Sequence, residues 1–88
     1  MRFEWDDAKA DQNERKHGIA FEEAAEILCG DYVAFRARVH GENRTKAIGR
    51  SAGEYIAVIY TERGDGIRII SARHATQSER SSYDQYFG

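Results

Sequence analysis

The six residues Tyr55-Ile-Ala-Val-Ile-Tyr60 are apolar at odd and even positions alike. A strand that shows one face to water alternates, so a strand that does not alternate must be covered on both faces. This segment therefore predicts the central strand of a sheet with other elements packed on each side. It is also the longest apolar run in the chain, against the roughly 20 residues that a bilayer-spanning helix needs. A chain of 88 residues leaves room for one core, so residues 1–88 are expected to form a single domain.

Turn signals and periodicity arrange the rest around that strand. Arg44–Ser51 and Glu54–Thr61 are separated by Ala52-Gly53, a short hairpin connection, and Asp65-Gly66 closes the loop before a strand at Ile67–Arg73. Tyr32–Arg36 reads as a further strand, and Arg2-Phe-Glu-Trp5 as a short one with Phe3 and Trp5 turned to the core. Asp6 or Asp7 caps a helix running to about His17, which Gly18 ends in a left-handed conformation. A second helix, about Phe21 to Leu28, buries Phe21, Ala24, Ala25 and Leu28 at i, i+3, i+4 and i+7 and stops at Gly30. Thr76-Gln-Ser-Glu79 has the form of a capping box and opens a last helix reaching about Tyr86. The expected fold is α+β, an antiparallel sheet with two N-terminal helices and one C-terminal helix, in the order β-α-α-β-β-β-β-α.

Charge is unevenly spread. The chain carries −2 overall, but residues 1–31 sum to −5 and residues 32–88 to +3, with arginine supplying every cation of the second part except Lys46. An overall basic charge, usual for a nucleic-acid-binding domain, is missing, and a local arginine-rich face on a neutral body is what remains. Glu4, Asp6 and Asp7 interrupt any secretion leader, and the lone Cys29 fits a reducing cytoplasm. His17, Cys29, His40 and His74 have no metal-ligand spacing, and no glycine-rich phosphate loop is present, so neither a metal nor a cofactor is expected.

Three constellations could carry chemistry. Lys9, Asn13, Lys16 and His17 share one face of the first helix and could meet a phosphate, with His17 able to accept and donate a proton near neutral pH. Arg44, Lys46, Ile48 and Arg50 share one strand face over about 20 Å, a spacing suited to a phosphodiester backbone. Arg68 and Arg73, five residues apart, fall on opposite faces of a regular strand, so both can serve one site only if the strand ends or bulges near Ser71. Glu79 and Arg80 follow in the last helix, with Tyr83 one further turn along. Glu79 is explained by the capping box and is also a candidate base.

Four stretches together resemble the BrnT toxins of bacterial type II toxin–antitoxin systems: Phe3-Glu-Trp-Asp6, Asn13-Glu-Arg-Lys-His-Gly18, Phe21-Glu-Glu-Ala-Ala25, and Ile67-Arg-Ile-Ile-Ser-Ala-Arg73 with Ala75-Thr76 and Glu79-Arg80 behind it. The resemblance implies a RelE-like ribonuclease fold, a toxin that cleaves RNA to halt translation, and a BrnA-type antitoxin, a DNA-binding dimer that neutralises it and represses the shared operon. Two departures stand out. Ala20 replaces a helix-capping serine, and Gln77-Ser78 stands where relatives are more basic.

Together these readings give an endoribonuclease in which a 2′-hydroxyl attacks the neighbouring phosphate without a metal. Lys16, His17, Arg68, Arg73 and Glu79 are the candidate catalytic residues, and Lys9, Lys46, Arg50, Arg80 and Tyr83 the candidate RNA-binding ones. The expected partners are RNA, the antitoxin, and operator DNA only through the antitoxin complex. No membrane is involved, and the expected location is the cytoplasm. The alternative is a non-catalytic module that docks an acidic protein or nucleic acid through its arginine-rich face.

Overall fold

The computed structural model describes residues 2–88. The elements run β1 (Arg2–Glu4), α1 (Asp7–His17), α2 (Phe21–Leu28), β2 (Val33–Val39), β3 (Glu42–Ser51), β4 (Glu54–Arg63), β5 (Gly66–His74) and α3 (Gln77–Phe87). The order is the one expected, and the strands form a single sheet, β1-β5-β4-β3-β2, with β4 at its centre. The sheet is mixed: β1 pairs with β5 in parallel, and every other pairing is antiparallel. The parallel pair arises because β1 reaches β5 only after the whole chain has turned back. No helix among the described residues is long and apolar enough to cross a membrane.

Two of the three hairpins turn on paired left-handed residues. Ala52-Gly53 takes φ of 51° and 82°, the double left-handed turn whose twist matches that of the flanking strands. His40-Gly41 does the same at 51° and 76°, so β2 runs three residues past the expected Arg36 before β3 begins.

α1 and α2 pack on one face. Ile19, Phe21, Ala24, Ile27 and Leu28 meet Ala47, Ile56, Val58, Tyr60, Ile67, Ile69 and Ala72 in one buried cluster, with Trp5 edge-on to Phe21 at 5.9 Å. Ile27 joins the stripe that the spacing predicted for α2, and Ala25 is only partly buried beside it. The approach is close enough that a Cβ on Gly49 would lie 2.5 Å from Ile27 Cγ2. α3 covers part of the opposite face, over β3 and β2.

Candidate active site

β1 ends with Glu4 opposite Arg68, which leaves the outer edge of β5 beyond that point without a strand partner among the described residues. Asn13 of α1 fills the gap. Its carboxamide nitrogen donates to Ala72 O at 2.8 Å and Ile19 O at 3.1 Å, and its Oδ1 accepts the Ala72 N–H at 3.1 Å. The residue is 8% exposed, so the expected four-member polar row loses one member: Asn13 turns inward as a clamp on the sheet edge. Its neighbours stay outside. Lys9, Lys16 and His17 line an open groove of about 310 Å³ together with Ile70 and Ser71 of β5.

β5 carries the bulge that the two arginines require. Ile59 faces Ser71 while the next residue of β4, Tyr60, faces Ile69, so Ile70 is extra. Ala57 opposes Arg73 and Thr61 opposes Arg68, and those two β4 positions, four apart, share a face. Arg68 and Arg73 therefore both project from the α3 side of the sheet. Arg68 does not share a face with Ala72, as a regular strand would have it, because Ala72 belongs to the core on the other side.

Lys46 of β3 lies on this same face and meets Arg73 through Glu79 of α3. Arg73 forks onto Glu79 with Nη1–Oε1 at 2.8 Å and Nη2–Oε2 at 2.9 Å, and Lys46 Nζ lies 2.7 Å from Oε2. The capping box adds the Thr76 N–H to Oε1 at 2.9 Å, while Glu79 N–H donates to Thr76 Oγ1 at 3.2 Å. Glu79 is 7% exposed. The Arg73 bonds, with those of Lys46 and Thr76, hold its carboxyl far below the usual carboxylate range, and the Arg73 guanidinium is in turn pushed further up by Glu79. A carboxylate so engaged is a weak base and a firm anchor for two cations.

Arg50, Arg80 and Tyr83 gather elsewhere, around Tyr55 near the β3–β4 turn. The guanidinium of Arg50 stands 4.4 Å and that of Arg80 6.0 Å from the Tyr55 ring centroid. Tyr83 meets Tyr55 edge-on at 5.7 Å, and Tyr55 Oη is 2.8 Å from Asp84 Oδ1, the bond that raises its pKa. On β3, Arg50 is four residues along from Lys46, about 13 Å. The candidates thus fall into three sets: Lys9, Lys16 and His17 beside Ser71; Arg73, Lys46 and Glu79 on the adjoining sheet face; and Arg50, Arg80 and Tyr83 farther along. Arg68 shares the face of Arg73 but stands four β4 positions from it, about 13 Å. No three His, Cys, Asp or Glu side chains gather as metal ligands among the described residues.

The row Phe35–Lys46–Ile59–Ser71, which crosses the sheet through successive pairings, escaped sequence reasoning because cross-strand register is not written in any one strand. Residues 5–79 match the model of a family described as the ribonuclease toxin, BrnT, of type II toxin–antitoxin systems. No curated protein matches the chain. The matched span takes in every candidate from Lys9 to Glu79 and ends before Arg80 and Tyr83.

Proposed function

This chain belongs to the BrnT family of ribonuclease toxins of type II toxin–antitoxin systems, and from that membership we propose that it cleaves RNA, without a metal ion, by attack of a 2′-hydroxyl on the adjacent phosphate. The hydroxyl oxygen bonds to phosphorus as the P–O5′ bond breaks. One group takes the hydroxyl proton, another protonates the leaving 5′-oxygen, and fixed cations stabilise the charge that develops between these events. DNA lacks the attacking group, so RNA is the only substrate.

The observation that carries this reading is the position of Ser71. It lines the groove of Lys16 and His17 and lies next to the bulge that turns Arg68 and Arg73 to one face. His17 serves proton transfer, with Lys16 beside it. Arg68 and Arg73 stabilise the phosphorane, and Lys9 and Lys46 hold the neighbouring backbone. Glu79 acts as a positioning residue that fixes Arg73 and Lys46. Arg50, Arg80 and Tyr83 extend the RNA track on the far side of α3. The whole of residues 1–88 works as one ribonuclease unit.

The family implies an RNA target and an antitoxin partner. The finer steps belong to the same proposal: the RNA is messenger, its cleavage arrests translation, the antitoxin is of the BrnA type, and operator DNA is bound only through the complex. An acidic segment of the antitoxin would cover the cationic face and exclude RNA. Purified protein is incubated with RNA in the presence of a chelator, alongside His17→Ala and Arg73→Ala, with melting curves to confirm that each variant is folded. Each substitution is expected to slow cleavage about a hundredfold, the cost of removing one positioned group. Equal cleavage by all three proteins, or no cleavage by the wild type, overturns the mechanism. RNA and antitoxin binding together in a titration overturns the occlusion.

A further inference from the structure

The α3 side of the sheet holds an apolar groove of about 280 Å³ whose only lining residue with a role so far is Lys46. Phe35, Ala37, Val39 and Ile59 line it, with Arg44 and Lys46 among them. Phe35 is 42% exposed on the edge strand β2, and Lys46 Nζ lies 5.6 Å from its ring centroid. One exposed phenylalanine is ordinary on a protein surface. Its register is not. Phe35 pairs with Lys46, Lys46 with Ile59, and Ile59 with Ser71, so one cross-strand row leads from the ring, past a cation, to the groove of Lys16 and His17. Three strand spacings separate β2 from β5, about 14 Å.

We infer that Phe35, with Ala37, Val39 and Ile59, forms a stacking subsite for a nucleobase of the RNA a few nucleotides from the cleaved bond, with Arg44 and Lys46 on its phosphates. A base offers a flat apolar face with an anion tethered beside it, which matches an aromatic and aliphatic lining flanked by cations. The row ends at the proposed cleavage groove, which favours RNA over an acidic peptide as the occupant. The inference rests on the RNA-cleaving reading above.

The test uses the full chain with a single-stranded 2′-O-methyl oligonucleotide, which cannot undergo 2′-hydroxyl attack, and a matched abasic strand. Phe35→Leu keeps the apolar bulk and removes the π-face. It is expected to weaken the base-bearing strand about tenfold and to leave the abasic strand unchanged. Phe35→Trp is expected to restore binding, with indole fluorescence quenched by the base-bearing strand beyond any change shown by Trp5 in the wild type. The inference falls if Phe35→Leu binds both strands as the wild type does, or if the introduced indole does not respond at saturation. It falls equally if Phe35→Leu keeps RNA binding and loses only the antitoxin, which would give the groove to the protein partner. Cleavage of unmodified RNA by the wild type, measured in parallel, reports separately on the catalytic reading.

Discussion

α2 and α3 dock on the same sheet by opposite means. α2 buries Phe21, Ala24, Ile27 and Leu28, yet its N-cap, Ala20, makes no side-chain hydrogen bond. α3 has a complete capping box, and its one buried residue is Glu79. One helix is held by area removed from water, the other by a cap, by contacts of Arg80, Tyr83 and Asp84 with Tyr55, and by an ion cluster whose cations, Arg73 and Lys46, are each 34% exposed at the side chain. The two faces of the sheet differ in the same way. The α1/α2 side is an apolar layer where the helices cover it, with Arg36 and Arg38 of β2 beyond them, while the α3 side alternates fully buried Ile48 and Ala57 with Lys46, Arg68 and Arg73. Across β3, β4 and β5 the period of two gives one face largely to folding and the other to cations. Because α3 is anchored through those cations, the charges expected to meet RNA already have an internal partner.

The contrast is broken most strongly on the apolar side. Ile27→Ala removes a side chain that is 4% exposed and packed against Gly49. It should cost about 3 kcal/mol in urea-induced unfolding, equally at low and high salt, because the loss is one of packing. The corresponding change on the other side is Glu79→Gln, which keeps the reach to the Thr76 N–H but removes the charge between Arg73 and Lys46. A loss of about 2 kcal/mol is expected, below the range for a fully buried pair because the cations are partly in water. It should show first as faster amide exchange in α3, with α2 unchanged, and 1 M salt applied to the wild type should move α3 in the same direction.

Acid separates the two dockings without mutation. The Glu79 carboxyl is held low in the folded chain by Arg73, then Lys46 and Thr76, against an ordinary value of 4.5. A lowered folded-state pKa means the stabilisation is complete above the unfolded value and is lost as pH falls below it and on toward the folded one. Wild-type α3 should therefore loosen progressively below about pH 4.5, and Glu79→Gln should lack that dependence, while α2 keeps its protection until global unfolding. Equal acid sensitivity of α3 in both proteins would show that the ion cluster does not hold the helix.

What was legible in the sequence follows the same division. The capping box at Thr76 and Glu79, the left-handed Gly18 and the apolar centre of β4 are local or periodic signals, and each stands where its chemistry put it. The turn at His40-Gly41 passed unseen because histidine is not among the residues that announce a double left-handed turn. Asn13 looked like part of a phosphate-facing row because its partner, the bare edge of β5, depends on β1 being only three residues long. The bulge at Ile70 could be posed only as a condition, since nothing in Ile69-Ile70-Ser71 marks it; it is set by pairing with β4. Gathering Glu79, Arg73 and Lys46 likewise required the register of three strands and the entry of a helix.

The smallest effect sharpens the comparison by giving α2 what α3 already has. Ala20 sits at φ −80° and ψ 147°, extended backbone of the kind a capping residue adopts, and its carbonyl already accepts the Glu23 N–H at 3.1 Å. Ala20→Ser would create the S-x-x-E pattern with Glu23, so its hydroxyl could take one of the first-turn N–H groups and Glu23 could reach back to the N-cap amide. Ala20 is only partly buried, so the added oxygen needs no desolvation that the new bond does not offset. A gain of about 1 kcal/mol is expected in urea-induced unfolding. Thr76→Ala, the mirror change on α3, should lose about as much. Should Ala20→Ser leave stability unchanged while Thr76→Ala lowers it, the packing of Phe21 and Ala24 already fixes the start of α2, and an end-cap matters only to a helix that lacks an apolar anchor.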